Sequence, residues 1–189
     1  MNHDPRIAPL TPPYDPEVGA ELQRWMPPGA AIEPLKLFRT LGRHPTLAQA
    51  MRPFGAFLLS RQLSLGKRVR ELAIARVCAR CGCEYEWGVH ATAFAFGAGL
   101  TEAQLRATVR GGPDDPAFED ADRLIVRLVD ELCDHAKVSD ELWTKLAAHW
   151  RPEQLLELLA LVGWYHVIAY VANGAGIELE EWGMRFPTA

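Results

Sequence analysis

Apolar side chains recur every three to four positions along most of the chain, which is the spacing of helices that bury one face. No run of alternating apolar and polar residues is long enough to predict a strand, so the sequence predicts an all-α fold. Thr101 and Gln104 match a capping box at the start of one helix. The other predicted helices span residues 35–41, 47–59, 68–81, 83–97, 118–132, 139–150 and 155–177.

The helix predicted over residues 83–97 carries ionisable groups among apolar residues. At about 100° per residue, three groups that can carry a proton and two large aromatic side chains fall on one face. These residues are Cys83, Glu86, His90, Trp87 and Phe94. The opposite side is also apolar, so we expect this helix to be buried nearly all round and its carboxylate and imidazole to need partners.

Glu71 is the single acid in the preceding helix, over residues 68–81. Gly82 separates the two helices and allows the second to fold back, which would bring Glu71 close to Glu86 and His90. In one straight helix, Glu71 and Cys83 would instead lie about 18 Å apart. We expect the basic residues around Glu71 on the solvated side of the helix, namely Lys67, Arg68, Arg70, Arg76 and Arg80.

Composition narrows the class of protein. With 189 residues, 49% of them hydrophobic, the chain suffices for one well-buried domain. Its formal net charge of −4 and the lack of a concentrated basic surface argue against a nucleic-acid partner. No charged segment followed by an apolar one opens the chain, so we expect a cytoplasmic protein with reduced cysteines.

Residues 1–34 are predicted to form a proline-rich N-terminal arm, followed by a single all-α domain of residues 35–189. Eight prolines prevent a long helix in the arm and leave room for one short helix around residues 17–26. We expect the arm to wrap the domain or a neighbouring subunit. Its predicted apolar anchors are Ile7, Leu10, Trp25 and Met26.

The segment over residues 155–177 carries Glu157 as its only charge and is long enough to span a bilayer. His166, Asn173, the glycines and the acidic residues that follow favour a buried helix and no membrane partner. Two nearly charge-free helices in so short a chain hold more apolar surface than a monomer buries comfortably. We therefore expect a homo-oligomer.

Three blocks of the sequence resemble the carboxymuconolactone decarboxylase family, which also contains the AhpD-type alkylhydroperoxidases. They are Arg70-Glu71-Leu72, the run CEYEWGVH over residues 83–90, and Gly99-Leu100-Thr101. The likeness covers roughly residues 64–110 well and the final helix more loosely, and it leaves out the arm. It implies an AhpD-like helical bundle.

The resemblance also implies a site. In the peroxidases of the family the site holds Glu, Cys, Cys and His, and this register falls here on Glu71, Cys83, Glu86 and His90. Glu86 thus replaces the peroxide-reactive cysteine, and a carboxylate cannot be oxidised to a sulfenic acid. The decarboxylase branch, with Glu and His four residues apart, is similar to this chain at that point.

We therefore expect cofactor-free decarboxylation, or related acid–base chemistry, on a small organic acid or lactone. Glu86 and His90 can pair, and a neighbouring carboxylate favours the imidazolium form that donates a proton. Glu71 would orient His90 or act as the second acid, with Cys83 in support. The chemistry requires no metal and no organic cofactor.

Substrate contacts are predicted from the same two helices. Trp87 and Phe94 would form an apolar wall that excludes water. Arg68 would anchor the substrate. Tyr165 and His166 on the final helix could reach the pocket, although a role in the core is favoured for the histidine.

Two other functions stay open. Cys83 could work with Cys81 or Cys78 in a thiol peroxidase of different wiring. The chain could also be a non-catalytic oligomeric or regulatory protein in which the Glu86–His90 pair is structural. A zinc site built from the three cysteines and His90 matches none of the usual ligand spacings.

Overall fold

The structure is a computed structural model that describes residues 4–27, 29–30 and 32–188. Within these ranges the chain is helical and has no β-strand, which confirms the predicted all-α class. Residues 1–3, 28 and 31 of the predicted arm lie outside the description. The α-helices are α1 (Pro16–Gln23), α2 (Lys36–Leu41), α3 (Pro45–Leu59), α4 (Lys67–Arg80), α5 (Glu84–His90), α6 (Glu102–Arg110), α7 (Asp120–His135), α8 (Asp140–His149) and α9 (Pro152–Ala175).

Helix α4 is the central element of the fold. Nine consecutive residues, from Arg70 to Cys78, are buried. The helix packs against α5, α6, α7 and α9. The expectation that its basic side chains face solvent is therefore wrong for Arg70 and Arg76, because both are buried and ion-paired.

Helices α4 and α7 are joined by three arginine–aspartate ion pairs whose partners are 54 residues apart, and Arg80 also lies 3.4 Å from Asp130. A constant separation means that the two helices run parallel in one fixed register. Arg76, the most buried of the arginines involved, also donates to the Thr108 carbonyl at 2.8 Å. The pairs are Arg68–Asp122 at 2.6 Å, Arg76–Asp130 at 2.7 and 2.8 Å, and Arg80–Asp134.

A tight turn joins α4 to α5. Gly82 adopts a φ of 60°, a left-handed conformation that favours glycine. The chain reverses there as predicted, and α5 packs on α4. After His90 the helix continues as a π-helical turn (Ala91–Ala95) and a 3₁₀ turn (Phe96–Ala98), so the helix predicted over residues 83–97 is regular only in its first half.

Helix α9 begins at Pro152, three residues before the predicted segment, and buries one face that includes Tyr165. The opposite face exposes Leu156, Val167 and Tyr170, so the prediction of a buried helix is right for one face only. By length and composition, α9 is the single helix of the described ranges that could cross a membrane, and its buried face packs on α3, α4, α5 and α8. Self-association stays a prediction.

The described part of the N-terminal arm lies against its own domain. Trp25 stacks on Phe38 with ring centroids 4.8 Å apart, and Met26 is buried. The backbone of Leu10 accepts a hydrogen bond from Arg39 at 3.0 Å. The side chain of Ile7 is 49% exposed, so this residue is not the apolar anchor that the sequence predicts.

Candidate active site

A buried row of four ionisable side chains runs from α4 to α5. Arg70 donates from Nε to Glu71 Oε1 at 2.7 Å. The other oxygen of Glu71, Oε2, lies 2.7 Å from His90 Nδ1, and His90 Nε2 lies 3.4 Å from Glu86 Oε1. All four residues are buried. Because acidic and basic groups alternate along the row, each buried charge has an opposite neighbour.

The pKa values of His90 and Glu71 are set by this pairing. Burial by itself lowers the pKa of His90, but the Glu71 carboxylate, aided by Glu86, raises it to about 9. Burial raises the pKa of Glu71, yet His90 and Arg70 together outweigh burial and lower it. At neutral pH, His90 is therefore an imidazolium whose Nδ1–H donates to the Glu71 carboxylate.

Tyr165 of α9 provides a second contact for the imidazole. Its hydroxyl oxygen lies 3.1 Å from His90 Nε2, and the two rings meet edge to face. Burial raises the pKa of Tyr165 well above its usual value, so the side chain stays a hydroxyl. Both nitrogens of His90 are thus occupied, and the imidazole can reach a bound molecule only through Glu86 or Tyr165.

Glu86 is the member of the row that faces open space. Its Oε2 is buried and, among the residues that the structure describes, has no hydrogen-bond partner. Glu86 and Tyr165 line a cavity of about 100 Å³. A buried carboxylate oxygen without a partner is costly unless a polar group of a ligand binds there. Of the four side chains in the row, Glu86 is the one in the lining of this cavity.

The thiols near the site are poorly suited to ionise. Cys83, at the start of α5, is fully buried, and burial raises its pKa to about 12 in spite of the opposing backbone amide of Glu86. At pH 7, roughly one such thiol in 10⁵ is a thiolate. Burial raises the pKa of Cys78 as well. Within the described ranges, these thiols, Cys81 and His90 form no cluster with the geometry of a metal site.

The structure brings some predicted substrate contacts to the site and leaves others away from it. The ring of Phe94 lies beside His90, with centroids 5.0 Å apart. Trp87 turns toward α6, where its indole donates to Thr108 Oγ1 at 3.1 Å. Arg68 is held by Asp122 on α7. The predicted roles of Trp87 in the apolar wall and of Arg68 as substrate anchor are thus without support in their contacts.

Two residues of the site, Arg70 in the row and Tyr165 beside it, are not among the predicted site residues. The sequence prediction places Arg70 in solvent, although a buried acid such as Glu71 needs a cation and Arg70 is adjacent in sequence. For Tyr165 the sequence indicates only that the side chain could reach the pocket. The available signal is its hydroxyl group on a nearly charge-free helix, because a hydroxyl that is buried requires a hydrogen-bond partner.

The fold is that of the AhpD-like proteins. An uncharacterized peroxidase-related protein from Ralstonia eutropha, with an alkylhydroperoxidase AhpD core, matches with a TM-score of 0.76 at 16% identity, over 95% of both chains. The debrominase Bmp8, in complex with 2,3,4-tribromopyrrole, matches with a TM-score of 0.68 at 15% identity, over 96% of this chain and 94% of Bmp8. Identities this low show the shared fold alone.

Sequence similarity defines the family. The sequence model of the carboxymuconolactone decarboxylase family matches residues 45–121. The uncharacterized protein YnjA of Escherichia coli (strain K12) is 30% identical over 142 residues, which are 75% of this chain and 77% of YnjA. The chain belongs to the carboxymuconolactone decarboxylase family, as its resemblance in sequence predicted.

Proposed function

We propose that this protein is a cofactor-free acid–base enzyme of the carboxymuconolactone decarboxylase type that acts on a small organic acid or lactone. The observation that supports the proposal is that Glu86 lines a cavity and that its Oε2 has no hydrogen-bond partner in the part of the chain that the structure describes. A buried carboxyl group with one free oxygen can take a proton from a bound molecule or return one to it.

The row of side chains behind Glu86 provides a route for the proton. Glu86 Oε1 lies 3.4 Å from His90 Nε2, so the imidazolium can reprotonate Glu86 after each transfer. Glu71 fixes the orientation of the ring through Nδ1 and stabilises its positive charge. Arg70 in turn balances the charge of Glu71.

Decarboxylation would use these groups in two steps. The bond between the substrate carbon and its carboxylate breaks, carbon dioxide leaves, and the electron pair is delocalised into the conjugated carbonyl as an enolate. The His90 imidazolium then passes a proton to Glu86, Glu86 delivers it to carbon, and the imidazole regains a proton by the same path once the product has left. The apolar wall beside Glu86, which includes Leu37, Trp164 and Ile168, excludes water and destabilises the bound carboxylate relative to the enolate.

A thiol peroxidase centred on Cys83 has less support. Its thiol is buried and, because burial raises its pKa to about 12, is rarely ionised at neutral pH. The position that would hold a second cysteine is Glu86. The names of the structurally similar proteins, peroxidase-related and debrominase, describe those proteins at identities that carry only the fold.

The experiment is to incubate the protein with unsaturated lactone acids, starting with 4-carboxymuconolactone, and to measure carbon dioxide release and deuterium uptake at carbon from D₂O. The Glu86→Gln variant should lose both signals by about 10²-fold or more. The matched control is Glu181→Gln, at an exposed position. Equal rates in the Glu86→Gln variant and the wild type, or neither signal with any acid, would contradict the proposal.

A further inference from the structure

The outer wall of the cavity beside Glu86 comes from the N-terminal segment that precedes the family match. The match begins at residue 45, whereas Trp25, Leu37 and Phe38 line the cavity before that point. Trp25 and Phe38 are stacked on each other, with an angle of 29° between their planes. Part of the cavity wall is thus formed by residues outside the region that this chain shares with the family model.

A cationic group lies at the end of the cavity formed by α1 and α3. Arg24 and Arg52 both line the cavity, and both bind the carboxylate of Glu21, at 2.8 and 3.2 Å. Two guanidinium groups against one carboxylate leave a net positive charge. Arg52 donates to Glu21 only from Nε, so within the described residues both of its terminal nitrogens have no hydrogen-bond acceptor. Its side chain is 31% exposed, which leaves those nitrogens accessible.

The lining of the cavity therefore combines two charged groups with apolar side chains. Glu86 supplies a carboxylate and Arg52 a guanidinium. The rest of the lining is largely aromatic and aliphatic, and includes Phe38 and Trp164. A guanidinium with two free N–H groups is suited to a carboxylate, and a carboxylate oxygen is suited to a hydroxyl or N–H group.

We propose that Arg52 and the Trp25–Phe38 stack are the specificity-determining residues of this cavity, which takes a small, flat organic acid with its carboxylate at Arg52 and a hydroxyl or N–H group at Glu86. This rests on the proposed function in so far as Glu86 is its acid–base group. Arg52 takes the anchoring role that the sequence assigned to Arg68. Trp25 of the arm and Phe38 of α2, both before the family match, then select the substrate together with Arg52 of α3.

The stack also limits the length of the ligand. Trp25 and Phe38 line a second cavity, of about 140 Å³, between α1, α2 and α3. The stack separates this space from the cavity beside Glu86. Removal of the Phe38 ring would join the two cavities and admit a longer acid.

The test measures binding by isothermal titration calorimetry with three probes: para-hydroxybenzoate, benzoate and phenol. The wild type should bind para-hydroxybenzoate most tightly, because only that probe has both a carboxylate for Arg52 and a hydroxyl for Glu86. Arg52→Gln should weaken the binding of both carboxylate probes by about 10-fold or more and leave the affinity for phenol unchanged. Glu86→Gln should weaken para-hydroxybenzoate and phenol but not benzoate.

Arg52→Lys and Arg61→Gln are controls for loss of structure, and two Phe38 variants test the stack. Arg52→Lys keeps the charge and should retain more carboxylate binding than Arg52→Gln, while Arg61→Gln, at an exposed position of the α3–α4 connection, should bind all three probes normally. Phe38→Ala should bind the longer hydroxybiphenyl carboxylate that the wild type rejects, and Phe38→Leu should give an intermediate affinity if the ring acts by its size. Circular dichroism checks that each variant is folded.

The proposal is overturned if the wild type binds none of the probes at millimolar concentration, or if Arg52→Gln leaves carboxylate binding unchanged. It is also overturned if Phe38→Ala and Phe38→Leu both reject the longer acid. The binding pattern without any turnover would refute the proposed function and leave this inference intact. Turnover that depends on Glu86 but not on Arg52 would support the proposed function and overturn this inference.

Discussion

The two oxygens of Glu86, a residue that lines the cavity, have different environments: Oε1 lies 3.4 Å from His90 Nε2, whereas Oε2 is buried and has no hydrogen-bond partner among the described residues. One carboxyl group thereby connects the interior row of charges to the space where a ligand fits. His90 is the more conspicuous residue in the sequence, yet it is one position further from that space. The roles of the two residues can be separated by experiment.

Replacement of His90 by Gln should lower kcat by about 10²-fold or more and leave KM nearly unchanged, because His90 supplies the proton but does not touch the substrate. Steady-state kinetics on the lactone acid that the protein decarboxylates measures both parameters. His149→Gln, at an exposed position, is the matched control. A large rise in KM with unchanged kcat would mean that His90 contacts the substrate directly.

Stability should fall as the pH rises from 6.5 to 9. The pKa of His90 is raised from 6.5 to about 9 in the folded protein, so the folded state binds the proton more tightly than the unfolded state. The resulting stabilisation, roughly 3 kcal/mol, is complete below pH 6.5 and is lost as the pH passes the folded pKa. Urea unfolding measured between pH 6 and 10 reports the change.

The control for that titration is Glu71→Gln, which removes the carboxylate that holds the proton on His90. This variant should be less stable at pH 6.5, and its stability should change little up to pH 9. A wild-type free energy of unfolding that stays constant from pH 6.5 to 9 would show that His90 is neutral in the folded protein.

Arg68→Gln should reduce the free energy of unfolding by about 1 kcal/mol without altering KM, because Arg68 binds Asp122 and not the site. The sequence had assigned Arg68 to substrate anchoring. Thermal unfolding and kinetics on the same preparation test both statements. A KM raised tenfold with unchanged stability would restore Arg68 as the anchor.

Cys83→Ser should keep acid–base activity within about twofold of the wild type, since the buried thiol takes no part in proton transfer at neutral pH. Mass spectrometry after treatment with hydrogen peroxide at pH 7 should find Cys83 unmodified in the folded wild type. Oxidation of Cys83 faster than of the partly exposed Cys81 would support the thiol peroxidase instead.

Helical periodicity was enough to predict the centre of the site. Glu71 lies on an apolar helical face, and Glu86 and His90 share a face on the next helix, so only a reversal between the helices was needed to bring them together. Gly82 marked that reversal, because it adopts a conformation that few other residues tolerate. These signals are local and can be read from neighbouring residues.

Which residues border the site depends on contacts between segments that are distant in sequence. Trp87 lies close to Glu86 and His90 on a helical wheel, but a hydroxyl on α6, at Thr108, draws its indole away. Arg68 and Arg70 are two positions apart and look equivalent in sequence. The acidic face of α7 holds the first, and Glu71 holds the second. No local pattern indicates that Trp25 of the arm reaches the cavity.

The parallel register of α4 and α7 has a consequence for how this chain can vary. Because α4 and α7 are parallel neighbours, the chain between them must run back along the molecule, and Glu86 and His90 lie in that part of the chain. One residue added between Arg68 and Arg76 would rotate part of α4 by about 100° and move it by about 1.5 Å. Some of the arginines of α4 would then no longer reach their aspartates on α7, and the contact between Glu71 and His90 would be broken. Evolution can therefore exchange side chains in this helix far more readily than it can change its length.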